Sequence, residues 1–270
     1  MKSNIIDIKS IINSKNKSSK NWDKHNFLFK KISIILENKL SELNNNFKNI
    51  LLLSSDAGEA LKIILKMNPE KVLFCSPFRN LLNKSILKTN VQKIESHFDK
   101  IPCKHLKFDL IISNLCLHNI EDKKNHFKNL HGLLNEEGLI ICNYFSGETL
   151  KELKHSLYLT DEIIFKGIYM RIPKNPEMIE VSDQLTEIGY KELVSEKINY
   201  KIYYQNVRKI LDDLKGTGEN CSYKSRMKGL ITNNYLKKLD QVYKINFQEA
   251  EGLKLNCDII SVCGWKNKKR

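Results

Sequence analysis

The apolar run FDLIISN over residues 108–114 ends on Ser113 and Asn114, and His118 follows four residues later. Open parallel sheets take their ligands at the carboxyl ends of their strands. These three side chains therefore stand where a ligand would lie, and an imidazole there can carry a proton near neutral pH. A packed, hydrogen-bonded histidine satisfies the same sequence. Asp109, early in the run, reads more simply as a strand-edge carboxylate bonding neighbouring backbone. A second polar group follows the run LLLS at 51–54: Ser54, Ser55 and Asp56 precede Gly58, and Asp56 can cap a helix opening there. The seven cysteines (Cys75, Cys103, Cys116, Cys142, Cys221, Cys257, Cys263) form no C-x-x-C pair. His126 and His131 are off the i, i+4 spacing that places two ligands on one helix face. The thiols read as buried core, and no metal site is expected.

The elements that must position these groups follow from hydrophobic periodicity. Leu28, Ile32, Ile35, Leu36, Leu40 and Leu43 predict an amphipathic helix over 27–43. Strands are expected near 49–54, 71–75, 91–95, 108–114 and 138–145, separated by helices near 58–67, 78–88 and 121–134. That alternation predicts an α/β protein with a parallel sheet and helices on both faces. Helical segments near 147–159 and 177–189 flank Gly167, Pro173 and Pro176, which read as a loop or lid over the sheet's carboxyl edge. A strand near 192–204, a helix near 206–215, a break at Gly216 and Gly218, a long helix near 223–244 and a strand near 256–265 complete a sheet of seven strands. The expected organisation is a flexible tail at 1–26 and one domain at 27–270 with an insertion near 147–190.

The chain has 270 residues, 41% of them apolar, and a formal net charge of +14. Arginine occurs only at 79, 171, 208, 226 and 270, whereas lysine is spread over every segment. The charge therefore reads as a lysine-solvated surface and argues against a nucleic-acid partner. No apolar run approaches the roughly 18 residues of a membrane span, so no transmembrane segment is expected. The Lys- and Asn-rich start has no signal-peptide core. A cytoplasmic protein is the expectation, with a weak attraction to acidic surfaces.

From residue 108 onward the chain resembles the class I S-adenosylmethionine (SAM)-dependent methyltransferase-fold family that contains the mitochondrial complex I assembly factor described as an arginine hydroxylase, with its alphaproteobacterial relatives. The resemblance rests on FDLIISNLCLH (108–118), Leu133 with Gly138, FSGETLKEL (145–153), Arg171 with Pro173, Gly189-Tyr190, Tyr204, Gly264-Trp265 and above all DLKGTGEN (213–220). It implies a Rossmann-like, seven-stranded class I methyltransferase fold with a helical lid insertion. It also implies a respiratory complex I subunit as partner and peripheral association with a membrane complex. Candidate catalytic residues are His118, Arg171, Tyr204 and Glu219, the last three on the lid side of a cleft. Tyr204 equally fits an aromatic packing on its strand. Gly216 and Gly218 fit either a turn or a loop for a substrate or partner.

The early part departs from that family. Aligned on its D/E-x-G-x-G-x-G loop, the acidic residue becomes Leu52, the first two glycines become Ser54 and Asp56, and Gly58 alone is kept. The ribose-binding carboxylate at the end of the second strand becomes Ser76. Ser54, Asp56, Gly58, Ser76 and Ser113 are the candidate cofactor contacts. Losing the ribose carboxylate costs about 1.5–3 kcal/mol, and holding a non-glycine residue at positive φ costs roughly 1–2 kcal/mol more. Three functions follow: a complex I assembly enzyme acting on a respiratory subunit with SAM or a related ligand; a non-catalytic assembly protein with no cofactor; or a methyltransferase of the malonyl carrier-protein type, which requires the intact loop.

Overall fold

The computed structural model describes residues 5–43, 46–102, 105–221, 223–227 and 231–267. Cys103, and part of the helix expected over 223–244, lie outside them. The centre is one mixed sheet. Its parallel strands are β1 (Asn49–Ser54), β2 (Lys71–Ser76), β3 (Val91–Glu95), β4 (Phe108–Asn114) and β5 (Leu134–Phe145). Its antiparallel strands are β6 (Tyr190–Tyr204), the two-residue β7 (Gln248–Glu249) and β8 (Gly252–Lys266). The spatial order is β3-β2-β1-β4-β5-β8-β6, with β7 paired to β8. The short β7–β8 hairpin brings the strand count to eight where seven were expected.

Strand sequence explains the layering. β1, β2 and β4 are nearly continuous apolar runs, as parallel strands covered on both faces must be. Leu52, Phe74, Ile112 and Ile141 pack under α3 (Phe27–Glu42) and α4 (Glu59–Ile64). Leu53, Cys75, Ile111 and Cys142 face the other way, with α6 (Lys123–Leu133) and α8 (Met178–Ile188). A third cluster joins α7 (Lys151–Phe165), α9 (Val207–Gly216) and α10 (Asn233–Phe247) around Leu253 and Leu255 at the start of β8. Helix α10 begins later than periodicity predicts, because Thr232 caps it by accepting from Tyr235 N at 3.2 Å.

Residues 5–26, expected to fall within a flexible tail at 1–26, form helices packed on the core. Asp7 accepts from Ser10 N and caps α1 (Ile8–Ser18); α2 (Trp22–His25) follows, and Trp22 is fully buried with its ring 4.7 Å from that of Phe29. Ile8, Ile11, Ile12 and Lys15 recur at helical spacing and form one face, which the surrounding Lys, Asn and Ser residues disguise in composition. Asn16 pairs with Asn80 of α5 (Arg79–Lys84), and Ile6 bridges to Tyr223.

Trp22 is thus a core residue. Trp22→Ala is expected to cost about 3–5 kcal/mol, where a residue in a disordered tail would cost nothing measurable. Urea unfolding of the two proteins decides between these.

Candidate functional site

The chain runs outward through β1, β2 and β3 and returns to β4, so strand order reverses between β1 and β4. Such a reversal opens a ligand crevice at the strands' carboxyl ends. Every candidate cofactor contact lies along that edge or at its turns. Ser54, Ser76 and Ser113 are fully enclosed, as are Ser55 and Asp56. Asp56 caps α4, accepting from Gly58 N at 2.8 Å and Ala60 N at 3.3 Å, and also accepts from Asn114 Nδ2 at 3.1 Å. Burial, with Glu59 adding repulsion, pushes its carboxyl up to about 6, against the hydrogen bonds it accepts. Gly58 has φ +105°, and a Cβ on it would meet Ser85 Cβ at 2.6 Å. Ser76 Oγ accepts from Phe78 N.

The ground in front of this edge is filled by the N-terminal helices. Glu59 accepts from Trp22 Nε1 at 2.7 Å, from Asn26 Nδ2 at 2.8 Å and from Ala57 N at 2.9 Å. The Phe78 and Phe98 rings pack edge to face beside β2. Lys15, 1% exposed, places its ammonium 5.0, 5.7 and 5.8 Å from the ring centres of Phe29, Trp22 and Phe78, and donates to Glu219 at 2.5 Å.

Beyond Lys15 lies a mostly apolar cavity of about 100 Å³. Phe27, Phe145, Ile172, Ile202 and Leu255 line it, with two polar groups set in the wall. In the first, Glu219 joins Lys15 to His118 Nε2 at 3.1 Å, and the imidazole lies beside Phe145. His118 Nδ1 is buried with no hydrogen-bond partner among the described residues. Burial alone would raise the Glu219 carboxyl; Lys15 and His118 outweigh it and hold it down at about 2. In the second, Asp213 takes His25 Nδ1 at 2.7 Å on one oxygen and the Tyr204 hydroxyl at 3.0 Å on the other. Burial, then Asp213, pushes the Tyr204 phenol up. A histidine oriented by a carboxylate on one nitrogen and open at the other can accept or release a proton.

His118, Tyr204 and Glu219 therefore line one cavity. Arg171 does not. Its guanidinium forms a two-pronged pair with the buried Asp161 under Tyr235, while its neighbours Ile172 and Pro173 reach the wall. Asp109 bonds Lys48 N, Asn49 N and Asn135, the strand-edge role. Sequence reasoning missed Lys15 and His25, which it placed in a tail; the i, i+3, i+4, i+7 series Ile8, Ile11, Ile12, Lys15 is the signal that finds the first. Among the described residues, no three His, Cys, Asp or Glu side chains are grouped to hold a metal ion, and no helix is long and apolar enough to cross a membrane.

The model of a methyltransferase domain matches residues 25–200. The chain belongs to that methyltransferase domain family. Among curated proteins it is 24% identical to the human mitochondrial arginine-hydroxylase NDUFAF5, over 93% of this chain and 75% of that one. It is 30% identical to a malonyl-[acyl-carrier protein] O-methyltransferase of Gallionella capsiferriformans, over 49% of this chain and 44% of that one. Among solved structures, Bacillus subtilis YcgJ aligns with TM-score 0.57 at 12% identity, over 88% of this chain and all of that one. A Haemonchus contortus phosphoethanolamine N-methyltransferase bound to S-adenosylhomocysteine aligns with TM-score 0.51 at 11% identity, over 87% of this chain and 52% of that one. The fold is that of the class I methyltransferases.

The family's cofactor does not fit the residues present. SAM needs a glycine turn that the backbone can bring close to it, and a carboxylate for its ribose. Here Ser54, Ser76 and Ser113 are sealed, Asp56 is committed to capping α4 and to Asn114, Gly58 is packed on Ser85, and Trp22 and Lys15 stand in front. All five positions expected as cofactor contacts, Ser54, Asp56, Gly58, Ser76 and Ser113, are thus enclosed by the protein's own groups. Ser76→Asp, which would restore a family carboxylate in an open site, instead buries an unpaired charge. It is expected to cost roughly 3 kcal/mol or more in urea unfolding and to give no SAM binding by calorimetry.

Glu219 sets a pH dependence. Its folded pKa of about 2 lies below its ordinary value of 4.5, so its stabilising contribution is complete above 4.5 and lost as pH falls toward 2. Glu219→Gln removes that contribution. Unfolding free energy measured across this window is expected to fall less steeply in the variant than in the unsubstituted protein.

Proposed function

We propose that the protein serves the assembly of a respiratory NADH:ubiquinone oxidoreductase by binding a subunit of that complex in the cavity between His118, Tyr204, Asp213 and Glu219, without transferring a methyl group from SAM. The observation that carries this reading is the division of the crevice: its cofactor half is filled by the protein's own residues, while the neighbouring half keeps a cavity with paired acidic and imidazole groups. The human relative named arginine-hydroxylase matches along 93% of the chain, whereas the Gallionella malonyl-carrier methyltransferase matches 49% of it. A carrier-protein methyltransferase also needs the glycine loop that Ser54 and Asp56 replace. The group in the relatives' name, an arginine side chain, suits a cavity with apolar walls for its methylenes.

Tests of this reading require the gene and the partner. Deleting the gene is expected to lower the amount of assembled complex, and an unchanged amount would sink the proposal. Against purified subunits, Tyr204→Phe removes the hydroxyl that holds Asp213. It is expected to weaken partner binding on the order of tenfold while costing only about 1 kcal/mol of stability.

A further inference from the structure

The stretch DLKGTGEN at 213–220 is the most distinctive in the sequence, and the structure shows what it holds. Asp213 takes His25 of α2. Gly216 lies against the His25 ring so closely that a Cβ would come within 2.2 Å of it. Gly218, at φ +72°, lets Lys15 backbone approach; a Cβ there would meet Lys15 Cα at 2.9 Å. Glu219 takes the Lys15 ammonium. Four of its eight residues thus receive α1 and α2. The far side of Lys15 meets Phe78, two residues beyond the ribose position Ser76, and Trp22 bonds Glu59 next to Gly58. Lys15 accordingly spans from the β2 turn to the His118 turn, across the end of β1.

We propose that Lys15 with α1 and α2 is a permanent tethered occupant of the cofactor crevice, that the Asp213–Asn220 stretch is its latch, and that the Lys15 ammonium supplies in that crevice the cation Glu219 requires. This holds whichever partner the neighbouring cavity takes. It also accounts for the eroded motif. With no ribose to bind, a carboxylate at Leu52 or Ser76 would be a buried charge without a partner, so apolar and hydroxyl side chains are what the filled crevice accepts. The aromatic faces of Trp22, Phe29 and Phe78 and the Glu219 carboxylate together replace the water that Lys15 loses.

The full chain is tested by two measurements. In calorimetry with SAM and with S-adenosylhomocysteine, no saturable heat is expected up to about millimolar ligand; saturable binding overturns the proposal. In hydrogen exchange, amides of residues 8–25 are expected to be protected as strongly as those of β1 and β4, with or without SAM. Fast exchange there, or protection lost on adding SAM, means a mobile tail or a displaceable lid and overturns it. A third measurement addresses the charge. Lys15→Met lowers the unfolding temperature, and adding Glu219→Gln in that background is expected to recover part of the loss. Losses that simply add show that the ammonium is not held by that carboxylate.

Discussion

An ammonium enclosed to 1% exposure must be compensated on every side, and much of the crevice's architecture can be read as the answer to Lys15. Glu219 provides charge, three aromatic faces provide polarisable walls, and His118 fixes the other oxygen of Glu219. Each of these groups comes from a different part of the chain: Trp22 and Phe29 from the N-terminal helices, Phe78 from the turn after β2, His118 from the turn after β4, and Glu219 from the segment after α9. The buried ion pair therefore ties the N-terminal segment to the parallel sheet and to the helical cluster at the same point. Removing either charge would leave the other stranded, so the constraint acts on both ends of the sequence together.

The same arrangement separates two properties that usually travel together in this fold. The strand order and the reversal between β1 and β4 are those of proteins that carry a nucleotide-like cofactor. The side chains at the reversal serve the interior instead: Asp56 caps a helix, Ser76 closes a turn, and Asn114 links Asp56 to Asn143. Fold and site are thus independent here, as a framework can persist while its crevice acquires another occupant.

The sheet was legible because parallel strands covered on both faces must be written as short apolar runs; NILLLS, KVLFCS and FDLIISN are β1, β2 and β4. Tyr204 and Glu219 were findable as polar groups in distinctive stretches. Two features were not legible. Residues 5–26 look like a solvated tail because Lys, Asn and Ser outnumber the apolar residues among them, and a buried lysine carries no mark in sequence that separates it from an exposed one. Arg171 looked like a cleft residue, yet its partner Asp161 lies in α7, ten residues earlier, on a surface that hydrophobic pattern alone does not orient.

The bonds from Lys15 to Glu219 and from His25 to Asp213 join positions about 200 residues apart. A ribosome adding roughly 5–20 residues each second exposes α1 and α2 many seconds before their latch exists. Through that interval Trp22 and the isoleucines of α1 have no finished surface to cover, and the newly formed β1–β5 layer has an open crevice. The nascent chain therefore carries an uncovered apolar face until residues 213–219 have been made.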